Sequence, residues 1–567
     1  MKQQTETIQT IAKRDPALVM RLSRLGSFHQ SRLSFMRILT RRMIRENWRF
    51  SRPIFEFDDK GVGQAVYCAH TPDRIYSLIA FGHDLPAEAR SDRVIAEAWD
   101  STFTLFDGVP SEADIARLRQ NIPLQEAGRV TEKELSVSRA NRSVRLWDHV
   151  VSSLAAGKQP DQNQINKVGY LMRTTAVYGS GKLGAADREM IADRPECSAP
   201  FQIEMLSVFL TRTYVRDLVQ HLATLKGGDR AAKLDPGVAR SMGIGNSTGL
   251  GMAPFLVNHP MLFNNWIAAR EEAIATVRNL PSATGAAVAV FRSLLGRSLV
   301  SADIWHSEHP IQIEKLKQLR SDLGRLNAHV ERADLQNARP WDRLYRWAEA
   351  ELGEDAQECL ASLMLEPYGP LVDHLADQMS DGKPGAFRID GTQPVADLRA
   401  ILERAYGWAL QINWDEKEHC ARAWYVSEEK LEPRLGERFE EPIAPYEQPL
   451  APGRDAAALY AALRDVDSDA SLAAFLLAHP EHRHTVRRAQ IVDRAPYAEI
   501  RDNTIGSDLV PIDMLRCKLA FFGATHFDPR SDRWVRICMF GNAPYPEELQ
   551  QNQDDDWSYP PLVKGGK

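Results

Sequence analysis

The residues best suited to chemistry gather in two glycine-rich runs. The first, Arg173-Thr-Thr-Ala-Val-Tyr-Gly-Ser-Gly-Lys-Leu-Gly184, sets Ser180, Gly181 and Lys182 among Gly179 and Gly184. The second runs from Arg240 to Pro260 and places Gly243, Gly245, Gly249 and Gly251 around Asn246, Ser247 and Thr248, with His259 near its end. Glycine lets backbone amides approach a ligand closely, hydroxyls add donors, and a helix starting near Pro254 would offer unpaired amides to an anion. The chemistry this suits is acid–base work on a small carboxylate or phosphate. Lys182, Ser247 and His259 are the candidate proton-moving groups. Arg173 is a candidate bidentate clamp, and Ser180, Gly181, Gly245, Asn246, Thr248 and Gly249 would hold the anion.

Neither run is a known nucleotide loop. The first lacks the Gly-x-x-x-x-Gly-Lys-[Ser/Thr] spacing of a P-loop, and Gly243-x-Gly245-x-x-x-Gly249 misses the dinucleotide fingerprint by one residue. Met252, Pro254, Asn258 and Pro260, with Ser247 ahead of them, resemble in order the mobile signature loop of the fumarase/aspartase superfamily. That resemblance implies a helical carbon–heteroatom lyase with a serine base. The spacing here is longer, the lysine of that signature is missing, and its other two signature regions are not found, so the chain is not assigned to the family.

Other clusters give alternatives. His306, Glu308 and His309 fall within four residues, as do His479, His482 and His484 within six, but neither has His-Glu-x-x-His spacing. A metal-dependent enzyme using His306 and His309 is therefore one alternative, while the preferred reading needs no metal and no cofactor. His83 and Asp84 end an apolar run and form an acid–base candidate whose simpler reading is structural. Arg21, Arg24, Arg32, Arg37, Arg41, Arg42 and Arg45 interleave with apolar residues between Pro16 and Trp48. They read as a basic helix paired with surface carboxylates, or as an RNA- or protein-binding scaffold together with His482-Arg-His-Thr-Val-Arg-Arg488. The block from Arg494 to Arg536 mixes Arg, Asp and aromatic residues as a buried ion-pair network or a substrate-facing wall would.

The elements that must position these residues follow from periodicity. Runs at 52–57, 64–70 and 74–81 are short and rich in β-branched and aromatic residues, and predict a three-stranded antiparallel meander. Helical periodicity predicts helices over 92–106, 142–156, 164–177, 201–225, 254–278, 286–300, 310–333, 342–352, 370–378 and 395–412. Two further strands are expected near 518–522 and 534–540. The fold class expected is α+β, predominantly helical, with a small antiparallel meander near the N-terminus followed by a large helical body.

The organisation expected is Arg-rich N-terminal helices (1–48), the β-meander (49–90), a helical body holding both glycine-rich loops (91–430), a proline-rich linker (431–455) and a C-terminal helical or mixed segment (456–567). The tail from Gln550 is expected to fray. The 567 residues carry a formal net charge of -6, with 44% hydrophobic residues, which gives no global attraction to nucleic acid or anionic membrane. The six cysteines show no Cys-x-x-Cys spacing, and no run of about 18 uncharged apolar residues is present. A cytoplasmic enzyme of lyase or isomerase type is the expected function, its partner a small anionic substrate rather than nucleic acid or membrane, with a homo-oligomer compatible.

Overall fold

A computed structural model describes residues 10–86, 98–121, 130–176, 191, 193–248, 260–379, 387–416, 424–427, 432–435, 449–450, 452–501, 516–529, 535–551 and 555–560. Its organising element is a nine-stranded sheet. The strands are β1 (Arg49–Phe57), β2 (Gly63–His70), β3 (Ile75–Gly82), β4 (Ser101–Asp107), β5 (Glu134–Arg142), β6 (Tyr170–Thr174) and β7 (Gly243–Thr248), completed by a hairpin from near the C-terminus. A separate three-stranded sheet has β8 (Trp424–Ser427), β9 (Glu432–Leu435) and β10 (Pro449–Leu450) in the order β10-β8-β9. The C-terminal hairpin is β11 (Ala524–Pro529) and β12 (Val535–Met539), and the large sheet runs β1-β2-β3-β4-β5-β6-β7-β12-β11. Every neighbouring pair in it is antiparallel except β6 and β7, which are parallel.

That parallel pair exists because the chain between β6 and β7 makes a crossover containing the helix Gln202–Gly227. The helix lies on one face of the sheet. Its Tyr214 ring meets Phe57, Tyr67 and Phe103, and Phe209 meets Phe50 and Phe540. Alternation then sorts β2: Ala65, Tyr67 and Ala69 join the main core, whereas Val66 and Cys68 face a smaller core closed by Ile115 and Leu118 of the helix Glu112–Asn121.

The main core continues into a helical lobe of Pro260–Arg278, Gly285–Ile304, Pro310–Arg332, Pro340–Glu351 and Glu354–Leu365. Four helices, Val395–Leu410, Pro452–Leu463, Leu472–Ala478 and Arg483–Arg494, share a core of their own around Leu398, Leu402, Leu459 and Val486. Among the described residues one helix, Gly285–Ile304, is long and apolar enough to cross a membrane, with a mean hydropathy of 1.2. Its Phe291, Leu294 and Leu295 are buried in the lobe, and it carries Arg292 and Arg297.

The helical content of the expectation holds, but the small meander does not: it is the first third of a mixed nine-stranded sheet. The segment expected to be helical at 92–106 forms β4 from Ser101, because Thr102, Thr104 and Phe106 alternate with Phe103 and Leu105. The helix expected at 164–177 stops at Val168, where Gly169 takes a φ of 77°, and the chain enters β6. At 518–522 a π-helical turn, Leu519–Gly523, replaces the expected strand, which begins at Ala524 instead.

Within the tail expected to fray, 555–560 dock on the body: Asp555 accepts hydrogen bonds from Arg37 Nη2 at 3.0 Å and Arg41 Nη1 at 2.7 Å, and Trp557 and Tyr559 are buried, while 561–567 lie outside the described residues. Most of the N-terminal arginines are likewise drawn into the protein, although Arg21 and Arg45 stay exposed. Arg37 is fully buried on Glu366, Arg32 pairs with Asp373, and Arg14 and Arg24 meet Glu358.

Candidate functional site at the carboxyl ends of β6 and β7

Three of the predicted binding residues come together. Arg173 on β6 lies in register with Gly245 on β7, and Asn246 follows. Ser247 and Thr248 end β7, their backbones paired with Arg536 and Val535 of β12. Ser180, Gly181, Lys182, Gly249 and His259 lie outside the described residues, as does all of the fumarase-like run except Pro260, which opens a helix.

The expected loop from Gly243 to Thr248 is therefore a strand, and close packing rather than a ligand calls for its glycines. A Cβ at Gly243 would sit 2.2 Å from the Met539 carbonyl oxygen, and one at Gly245 would sit 2.6 Å from the Tyr170 ring. Consecutive residues of a strand face opposite sides, so Gly245 looks toward Tyr170 and Asn246 toward the other face. Arg536 lies over the Tyr170 ring at 5.8 Å.

On its own face Asn246 is fully buried and makes two bonds. Its Nδ2 donates to the Thr174 carbonyl at 2.9 Å, which ties the end of β6 to β7 and fixes the amide's orientation. Its Oδ1 accepts from Lys518 Nζ at 2.6 Å. Lys518 is fully buried, and its ammonium finds no ion pair among the described residues; the Phe522 ring stands 5.5 Å away. Burial alone pushes the amine down from 10.5 to about 7.

The short segment that carries this lysine is anchored on both sides. Arg516 Nη1 meets Asp355 at 2.9 Å, Cys517 Sγ donates to the Leu25 carbonyl at 3.1 Å, and Gly523 turns at a φ of +89° against Ser34. A buried amine with a neutral form available near pH 7 can accept a proton or attack an electrophile.

Lys518 was missed because nothing in Leu515-Arg-Cys-Lys-Leu-Ala-Phe-Phe522 distinguishes a buried lysine from a snorkelling one. The apolar run that follows it was the only signal. His83, by contrast, bonds Thr102 Oγ1 at 2.9 Å while Asp84 pairs with Lys60 at 3.0 Å, so the two do not act on one another.

A second polar cluster lies in the helical lobe. The His29 ring stacks on Trp305 at 5.5 Å with Nε2 3.5 Å from Asp355, beside a small cleft lined by Ser298, Ser301, Cys359, Ser362 and Tyr559. Burial, outweighing the carboxylate, lowers the His29 pKa and raises the Cys359 thiol to about 12, so the thiol stays protonated and unreactive. His306 is exposed, and among the described residues no group of three or more His, Cys, Asp or Glu side chains is arranged to hold a metal. The protein-family models, the curated proteins and the solved structures with which the chain was compared contain no match to it.

Proposed function

We propose that the protein is an enzyme that moves a proton on a small anionic metabolite, as lyases and isomerases do, and that Lys518 is the group that moves it. The observation that carries this reading is the buried Lys518 amine, held only by Asn246 among the described residues, at the carboxyl ends of two parallel strands. Placing an unpaired ammonium in a protein interior costs several kcal/mol, a cost that structural lysines avoid by reaching water or a carboxylate. The place also suits a ligand because the chain leaves the sheet there through two connecting segments, and connecting segments held by a rigid scaffold often carry binding residues. Both glycine-rich runs follow those two ends in sequence, Gly179 to Gly184 after β6 and Gly249 to Gly251 after β7. Lys182, Ser247 and His259 are the further candidates they bring.

Thermal-shift measurements test the reading. Wild type, Lys518→Met, Lys182→Ala and Ser247→Ala are compared against a panel of small carboxylates and phosphates. A ligand that binds only the folded state at about 100 times its Kd adds roughly 2.7 kcal/mol of stability. The expected result is one class of acid that stabilises wild type and no longer stabilises Lys518→Met. The reading fails if no acid shifts the wild type, or if Lys518→Met responds as wild type does.

A further inference from the structure

We propose that Lys518 captures its substrate covalently, its Nζ adding to a carbonyl carbon to give a protonated imine, and that the substrate is a small oxo acid bearing both a carbonyl and a carboxylate. The inference rests on the acid–base reading of the same site and narrows it.

Two features of the geometry carry it. The first is orientation. Asn246 Oδ1 takes one N–H of the amine at 2.6 Å, and the Asn246 amide is locked by its bond to the Thr174 carbonyl at 2.9 Å. In the neutral amine the lone pair must then point away from Asn246, as a nucleophile's must. The second is charge. No carboxylate pairs with Nζ among the described residues, so a cation formed on this nitrogen needs a counter-charge from elsewhere. An oxo acid brings its own, setting its carboxylate beside the iminium, whereas an uncharged aldehyde or ketone would leave the iminium buried and bare. The low amine pKa supports this: at pH 7 about half of Lys518 is neutral, against fewer than roughly one in a thousand molecules for an exposed lysine.

The step balances without an oxidant or reductant. The nitrogen lone pair bonds to the carbonyl carbon, and a proton passes from nitrogen to oxygen to give a carbinolamine. The hydroxyl leaves as water with one proton from solvent, which leaves C=N⁺–H. On the carbon next to the iminium a C–H bond then breaks, its proton passing to solvent and its electron pair forming the C=C of a neutral enamine as the C=N π pair returns to nitrogen. A proton added back to that carbon restores the iminium, and addition of one water releases the carbonyl compound, the amine and the proton taken up earlier.

Reductive trapping on the wild-type protein tests this. The protein is incubated at pH 7 with glyoxylate or pyruvate and sodium cyanoborohydride, with succinate as the carbonyl-free blank, and modified lysines are mapped by peptide mass spectrometry. The expected result is an adduct on Lys518 at about tenfold or greater occupancy than on exposed lysines such as Lys60, Lys158 and Lys317, as its larger neutral fraction requires. That preference should shrink at pH 10, where exposed amines also deprotonate. Modification of the exposed lysines with Lys518 untouched overturns the proposal. If Lys518 escapes trapping while carboxylates still stabilise wild type and not Lys518→Met, the covalent step alone is lost. If both experiments fail, the acid–base reading goes with it.

Discussion

Buried cations in this chain are matched, for the most part, by named acceptors. Arg14 and Arg270 share Glu358 and Glu271, Arg488 holds Glu499, and Arg212 spends its guanidinium on the carbonyls of Met242, Ala543 and Arg240. Lys518 has one neutral amide oxygen. Its depressed pKa is therefore a stability statement with a definite sign. Between about 7 and the ordinary 10.5 the unfolded chain binds a proton that the folded chain does not, so wild-type stability rises with pH through that window. Below pH 7 the full penalty applies, about 1.4 kcal/mol for each unit of depression. Replacing Lys518 by Met removes it. Chemical denaturation from pH 6 to pH 10 should show wild type gaining on Lys518→Met as pH rises; a difference independent of pH would mean the amine is not perturbed. At this scale the sequence was legible only in part. Arg173, Gly245 and Asn246, expected at one anion site, are neighbours in the sheet, but Gly243 and Gly245 answer to close packing against Met539 and Tyr170, and identical letters serve a phosphate cradle and a tight strand crossing.

Elements were legible where their periodicity is local. The helices Gln202–Gly227, Pro310–Arg332 and Pro340–Glu351 lie within two residues of their expected bounds. Strands β1 to β3 were also expected, because aromatic and β-branched residues alternate between clear turn signals. β4 was not, since the apolar residues around it also fit a helical period, and β7 was not, since a strand reading Gly-Ile-Gly-Asn-Ser-Thr has little β-propensity and owes its conformation to its neighbours.

The arginine helix Phe35–Arg45 and the C-terminal tail form one device that sequence could not pair, because their partners lie some 500 residues apart. Burial works against the charge of Asp555, but Arg37, Arg41 and Arg32 overcome it and draw its pKa down to about 2. A carboxylate depressed in the folded state stabilises above its unfolded pKa of about 4, and that stabilisation is lost as pH falls toward 2. Asp555→Asn should cost about 3 kcal/mol at pH 7 by leaving buried guanidinium charge under-compensated. The loss should narrow as pH is lowered to 3 in denaturant titrations; equal stability at pH 7 would show that the clasp contributes nothing.

Across the whole molecule, the sheet is finished by strands from opposite ends of the chain, with β12 inserted beside β7 and β11 at the edge. Pairing at such sequence separation leaves no local trace, which is why the two strands expected near 518–522 and 534–540 were not joined to the sheet and the sheet read as a small meander. The same distant return carries Lys518 to Asn246. The functional proposal depends on that juxtaposition and on the state of one amine. The most direct test is an NMR titration of the protein labelled with ¹³C and ¹⁵N in lysine, with the Lys518 resonances assigned by their loss in Lys518→Met. The account predicts a midpoint near pH 7 for this amine. A midpoint near the ordinary 10.5 would contradict it, and with it the assignment of Lys518 as the reacting group.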